Sequence, residues 1–348
     1  MTGRERVLTT LAGKKTDRPP FFFRLDHNYK QTVADANSIK QEEIADFYGC
    51  DAEHIPIAYK PNPLTNENDN YDLYGNKTIT VHYKGFTDHT ISVPVLANVE
   101  EASELKDIKL VDEDSVDIPL CIEQAKTARA TGRAIYGGVW ASIFTHPRTS
   151  MGEEKFLASM YDNPDLIYAV VEKFTDCFLK INKAYMDACG DYIDIYYFGS
   201  DFATQNSLFI SPDMFREFFV PQMKKIADQA KSYGKPVMYH CCGAIMPLMD
   251  MFIESGVEII DPVQVSSRDM SVDEVAVKYK GKVMFHGGVS SQVTFTKGSP
   301  DDVYKETQRA IRVLGPEGFI VAPDHDLLPN VPVANLDAFV KAVKEYTY

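Results

Sequence analysis

Four consecutive residues, His240-Cys241-Cys242-Gly243, close the apolar run Pro236-Val237-Met238-Tyr239. In a strand, residues i and i+2 project to the same side. His240 and Cys242 are therefore predicted to point together, and Gly243 leaves the backbone free to turn. An imidazole and a thiolate that converge in this way suit a borderline-soft cation such as zinc. The plain alternative is a buried cysteine acting as a small hydrophobe beside a core histidine. Cys241 is expected to face the opposite way, into a covering layer. A Cys241–Cys242 disulfide is disfavoured by geometric strain.

Other polar residues gather just past further apolar runs. They are Asp26 with His27, Asp201 with Gln205, Asp261 with Gln264, His286 with Gly287-Gly288, and Asp324 with His325. The runs themselves read as strands: residues 20–25, 53–58, 134–139, 192–198, 236–240, 258–261, 282–286 and 318–322. Helical patterns separate most of them. Asn163-Pro164-Asp165, Ser211-Pro212-Asp213 and Ser299-Pro300-Asp301 each offer a cap, a proline at the first helical position and an early acid. Leu166, Ile167, Val170, Val171, Phe174, Cys177, Phe178 and Ile181 mark one apolar face. Gly190 and Gly234 are placed to stop two helices, and Pro221 predicts a kink. Strands alternating with helices predict an α/β fold, most simply a (β/α)8 TIM barrel. The stretch from about 66 to 95 differs. Its alternating Thr78, Thr80, Val81, His82 and Tyr83, with Gly75-Asn76 and Lys84-Gly85, reads as a β-hairpin insertion. In such barrels chemistry sits at the C-terminal strand ends, where the polar residues fall.

The totals fit this plan. A chain of 348 residues, 45% hydrophobic and 25% charged, suits one barrel domain spanning 1–348. The net charge of −14 argues against nucleic acid or an anionic membrane as partner. No apolar stretch approaches the roughly 18 residues that span a bilayer. The start, Met1-Thr2-Gly3-Arg4-Glu5-Arg6, lacks a signal-peptide core. Six cysteines at irregular spacing do not make a disulfide framework. A cytoplasmic protein with reduced thiols is expected.

Two longer segments carry a family resemblance. One runs from Gly138-Val139-Trp140 to Gly152-Glu153-Glu154-Lys155-Phe156-Leu157. The other is Ala322-Pro323-Asp324-His325-Asp326-Leu327-Leu328-Pro329-Asn330-Val331-Pro332-Val333-Ala334-Asn335. Together they resemble the uroporphyrinogen decarboxylase superfamily, well over roughly residues 130 to 345 and weakly before them. The resemblance implies one of two chemistries on one barrel. These are metal-free decarboxylation of a porphyrinogen, and zinc-dependent methyl transfer to or from a corrinoid. Porphyrinogen decarboxylases carry an Arg-Gln-Ala-Gly-Arg-Tyr loop near their start. Here the region reads Phe21-Phe22-Phe23-Arg24-Leu25-Asp26-His27-Asn28-Tyr29, with one arginine, which is poor chemistry for a polyanion. The methyltransferases instead carry His-x-Cys and a later cysteine as zinc ligands.

His240 and Cys242 match the first two of those ligands. At the third position, four residues before Pro329, this chain has His325, so the implied set is His240, Cys242 and His325. Decarboxylases of the superfamily also have histidine there, so the pair, not His325, separates the branches. One thiolate fewer leaves zinc more electrophilic, which suits an oxygen-bound methyl group better than a thiol. The implied activity is removal of a methyl group from a small methyl ether, for delivery to the cobalt of a corrinoid-binding protein docked over the barrel mouth. Transfer from methylcobalamin to a thiol and metal-free decarboxylation are the alternatives. His286 and Asp201 are the expected catalytic groups, and Gln205, Gln264, Asp26 and Tyr197 the expected substrate contacts. A homodimer is what superfamily relatives suggest. His27, His54, His82, His89 and His146 have no role that spacing assigns.

Overall fold

The computed structural model describes residues 1–66, 69–83 and 86–348. Strand β1 (Ala52–Ile55) precedes an antiparallel set, β2 (Asn70–Tyr71), β3 (Lys77–Tyr83) and β4 (Phe86–Val93). Six strands follow: β5 (Ala134–Gly137), β6 (Ile195–Gly199), β7 (Val237–His240), β8 (Ile259–Val263), β9 (Met284–Val289) and β10 (Phe319–Pro323). β1 and β5 to β10 form one seven-stranded sheet in chain order, with every pairing parallel. The strands are short and buried along their length, as expected of a sheet covered by helices. This is the α/β barrel architecture.

The expected first strand is the exception. Residues 20–25 form two isolated parallel bridges to the β10 side, Phe21 with Val321 and Leu25 with Leu327. On the other side the Phe21 carbonyl accepts the Asp51 amide at 2.8 Å. The segment closes the wall without a continuous ladder. Pro19 and Pro20 supply no N–H, which removes donors where a ladder would start.

Local chemistry sets the helix boundaries. Asn163, Ser211 and Ser299 accept from the amides of Leu166, Met214 and Asp302, as capping residues do. The apolar face expected from Leu166 to Ile181 is buried within the helix Pro164–Cys189. Pro221 produces a break rather than a kink. One helix spans Pro212–Phe218, and a second, Val220–Ser232, begins with Pro221 in its first turn, where the missing N–H is not needed.

The insertion is a three-stranded antiparallel sheet, β2-β3-β4. Its β2–β3 turn is tied by Asp72, which accepts from the amides of Tyr74 and Asn76. Asn76 donates to Ser150 at 2.9 Å, anchoring the base of the sheet on the helix Thr145–Met151. The expected Lys84-Gly85 turn lies outside the described residues.

At the N-terminal ends of the strands, two buried carboxylates tie elements together. Asp51, just before β1, accepts from Arg6 at 2.6 Å, from Arg18 at 2.6 Å and from the Phe21 amide at 2.9 Å. Asp194, just before β6, is shared by Arg4, Arg129 and the Ile135 amide. Among the described residues no helix is long and apolar enough to cross a membrane.

Candidate active site

His240 is the last residue of β7, and its neighbour on β6 is Gly199. A Cβ on Gly199 would stand 2.5 Å from the His240 Cβ, so only glycine lets the two strands meet here. Past the strand end, Gly243 has φ +100°, a conformation that turns the chain sharply. Its amide donates to Gln264 Oε1 at 2.7 Å, and Ser267 donates to the same oxygen at 3.0 Å. Gln264, expected to touch substrate, is thereby occupied in fixing the loop that carries Cys242.

The strand end brings His240 and Cys242 together. His240 Nε2 lies 3.3 Å from Cys242 Sγ. Asp201 Oδ1 accepts the Cys242 amide at 2.8 Å and sits 3.8 Å from His240 Nε2. One donor atom from each of Asp201, His240 and Cys242 falls within 4.8 Å of the others. Asp201, expected as a catalytic group, therefore joins the candidate ligand cluster. His325 stands on the exposed loop after β10 and interacts with the Cys242 thiol, but it is not part of that closest set. Cys241 turns its sulfur the other way and accepts from the Phe202 amide at 3.3 Å.

Behind the cluster stands Asp261, on β8 and in register with His240. It is buried, with both oxygens in use. Oδ2 meets His240 Nδ1 at 2.8 Å and the Tyr197 hydroxyl at 2.8 Å. Oδ1 meets His286 Nδ1 at 2.5 Å. An ionised carboxylate only accepts, so both rings hold a proton on Nδ1. His286 also stacks on Phe22, with centroids 4.2 Å apart. Arg24 donates to the Tyr197 hydroxyl at 2.8 Å and to Asp326 at 2.6 Å.

The electrostatics follow from these contacts. Burial alone would raise Asp261, but His286 and His240 outweigh it and hold the carboxyl well below its ordinary range. Burial alone would lower His240, yet Cys242 and Asp261 hold it well above its usual value. For Cys242, burial opposes ionisation, while His240 and then His325 favour it more strongly, so the thiol falls below its ordinary value. Each of the two groups thus favours the charged form of the other. A deprotonated Cys242 sulfur and an unprotonated His240 Nε2 are the donor forms that zinc takes.

The remaining expected contacts lie farther out. Gln205 is half-buried at the rim, hydrogen-bonded to Gln292. Asp26 caps the helix His27–Asn37 by accepting the Asn28 amide at 2.8 Å. Tyr197, expected to touch substrate, is buried instead, with its hydroxyl held between Arg24 and Asp261. Sequence reading did not assign Asp261 as the hub; its strand-end position was the available signal. It also passed over Trp140, which is 39% exposed with its ring 5.6 Å from that of His240. A lone tryptophan just past β5 was the clue.

Comparisons with known proteins agree with this architecture. The family profile for uroporphyrinogen decarboxylase (URO-D) matches residues 84–346. The chain is 24% identical over 234 residues to the methylcobamide:CoM methyltransferase MtaA of Methanosarcina barkeri, covering 66% of this chain and 64% of that protein. It is 21% identical over 217 residues to the uroporphyrinogen decarboxylase of Chlorobaculum tepidum, covering 60% of this chain and 58% of that one. The chain thus spans about three fifths of the length of these curated relatives. Among solved structures, a methyltransferase from Methanosarcina mazei superimposes with a TM-score of 0.70 at 18% identity, covering 99% of both chains. A B12-independent methionine synthase from Shewanella sp. W3-18-1 gives 0.51 at 12% identity over 95% of both. Those likenesses concern the fold, while the profile match covers most of the sequence. The chain belongs to the uroporphyrinogen decarboxylase family.

Proposed function

We propose that this chain is a zinc-dependent methyltransferase of a corrinoid system, moving a methyl group from a small methyl ether to the cobalt of a corrinoid carried by a partner protein. The observation that carries this reading is the convergence of His240 Nε2, Cys242 Sγ and an Asp201 oxygen at the mouth of the barrel. The donor set fits zinc: one nitrogen, one sulfur and one oxygen, with the histidine oriented by a buried carboxylate. His240 and Cys242 would hold the ion, and Asp201 and His325, both in contact with Cys242, are the groups placed to complete its shell. Bound there, zinc supplies Lewis acidity to the oxygen that bears the methyl group.

The other steps fall to the protein's own side chains. Asp261 fixes the His240 ring, and Gln264 holds the loop that presents Cys242. Trp140, backed by the buried Tyr197, offers an exposed aromatic face against which a flat substrate can rest. As the carbon–oxygen bond breaks, its electron pair stays on oxygen. His286 orients the substrate, and where Asp201 rather than His325 completes the shell, His325, exposed at the mouth, can return a proton to that oxygen. Trp140, Phe209 and Leu328 expose apolar surface on loops past the strand ends, where the corrinoid protein would dock.

Porphyrinogen decarboxylation is the weaker reading because the one arginine of the entry segment is already paired. Arg24 is committed to Asp326 and Tyr197, which leaves it a poor receptor for several carboxylates. Transfer from a methylated corrinoid to a thiol is the reading that similarity to MtaA favours. Metal analysis of tag-free protein tests the core of the proposal. About one zinc per chain, lost in His240→Ala and Cys242→Ala, is expected; full decarboxylase activity after chelation would overturn it. Methyl transfer from ethers to cob(I)alamin, against transfer from methylcobalamin to thiols, then sets the direction. Zinc retention in Asp201→Ala and His325→Ala assigns the third ligand.

A further inference from the structure

Resting on that reading, we propose that His286 and Asp324 form a recognition subsite for a hydroxyl or amino substituent that the substrate carries beside its methyl-bearing atom. The two residues belong to the ends of adjacent strands, β9 and β10, and line the same small cavity as His240 and Asp261. Each is nearly sequestered from solvent, at 6% and 0% exposure, and each presents one buried polar atom with no hydrogen-bond partner. These atoms are His286 Nε2 and Asp324 Oδ2. Their other polar atoms are fully engaged. His286 Nδ1 is held by Asp261, and its ring is pinned flat on Phe22. Asp324 Oδ1 accepts from the amide and the hydroxyl of Ser291, at 2.7 and 2.6 Å.

A buried polar atom left unpaired costs about 1–3 kcal/mol, so two on one cavity wall mark a place built to be filled. The cavity encloses about 10 Å³, enough for about one water-sized group. That size selects the tip of a substituent rather than a whole molecule. With its proton on Nδ1, a neutral His286 presents Nε2 as an acceptor, and an ionised Asp324 presents Oδ2 as a second. An amino group can donate to both, and a hydroxyl can donate to one while accepting from the other where that one holds a further proton. A methoxy group cannot donate, and its extra carbon exceeds the space.

The arrangement also links the subsite to the metal cluster. One carboxylate, Asp261, orients both His240 and His286, so a substituent held at His286 Nε2 is set at a fixed place relative to the metal ligands. That placement would present the neighbouring methyl-bearing oxygen to the reactive centre instead of leaving it to tumble.

The test uses the zinc-loaded full chain and two matched probe sets: 2-methoxyphenol and 2-methoxyaniline against methoxybenzene, and 2-methoxyethanol against 1,2-dimethoxyethane. Histidine ring nitrogens are followed by long-range proton–nitrogen NMR, with His286 assigned through His286→Asn. A hydroxyl- or amino-bearing probe is expected to move the His286 Nε2 resonance and to bind at least tenfold more tightly than its matched ether. In His286→Asn, whose amide can still donate toward Asp261 but lacks Nε2, that preference is expected to vanish while zinc affinity stays within about twofold. The subsite is refuted if no such probe moves Nε2, if the matched ethers move it equally, or if His286→Asn leaves the preference intact. Zinc content and methyl transfer are read separately. Loss of either in the native chain would overturn the methyltransferase reading, whereas an unresponsive Nε2 in an active zinc protein overturns the subsite alone.

Discussion

Two buried aspartates at opposite ends of the barrel, Asp51 and Asp261, meet the same problem with different partners. Each is sequestered, and each accepts from three residues, which lie on three separate strands for Asp261 and on one helix and the segment after it for Asp51. Asp51 faces two guanidinium groups and an amide, which are donors only and keep their protons at any working pH. Its cluster can hold elements together and little else. Asp261 faces two imidazoles and a phenol, and each of these has further polar capacity that leads onward. His240 continues to Cys242, Tyr197 to Arg24, and His286 to the cavity. The same carboxylate chemistry is thus a fastening at the N-terminal ends of the strands and an aiming device at the C-terminal ends, the division of labour expected of this barrel.

The contrast can be broken at either end. The largest effect is expected from Cys242→Ala, which should reduce bound zinc from about one per chain to about none by elemental analysis. Its thermal midpoint in the metal-free state should barely move; a large drop would mean that the upper cluster is also a fastening. Asp51→Ala should do the reverse. Removing one partner from a buried charge cluster costs about 3–5 kcal/mol, read as a lower urea midpoint, while the folded fraction keeps its zinc. Asp261→Asn should come next, weakening zinc by about 10- to 100-fold in competition with a chromophoric chelator. Unchanged affinity would show that Asp261 does not orient a ligand.

The smallest effect concerns Asp17, whose hydrogen bonds from Arg6 hold its carboxyl well below the ordinary range despite some burial. A depressed folded value stabilises above the unfolded value of about 3.9 and loses that stabilisation as the pH falls further. Melting temperature should therefore fall less between pH 5 and pH 3 in Asp17→Asn than in the native chain. Because Asp17 is half exposed, the difference should be modest. Equal slopes in the two proteins would remove Asp17 from the fastening.

Much of this plan was legible in the sequence because it is written locally. The caps at Asn163, Ser211 and Ser299 depend on a side chain and an amide three residues on, so composition alone locates them. Period-two projection likewise sufficed to bring His240 and Cys242 together. What stayed hidden was non-local. Asp201 approaches the pair only because β6 lies against β7, a closeness that requires Gly199. Asp261 becomes a hub through register, since it pairs across β7–β8 with His240, and one sequence does not state a register between distant strands. Asp26 and Gln264 were read as substrate contacts from strand-end position, yet their oxygens are engaged by a helix amide and by a loop. Strand-end position alone does not tell a group that faces the pocket from one that holds the backbone around it.

The closing segment at residues 20–25 has a consequence for motion. It is bonded to its neighbours by isolated bridges, whereas β6, β7 and β8 share continuous ladders. Local opening follows the least-bonded backbone, so this stave should exchange its amide protons with heavy water before those strands do. Arg24 rides on the same stave and donates to the Tyr197 hydroxyl, which in turn donates to Asp261. An excursion of the wall would withdraw the donor that steadies Tyr197 and loosen its hold on the carboxylate between the two imidazoles. Breathing of the barrel and slackening of its imidazole clamp would then be one event rather than two.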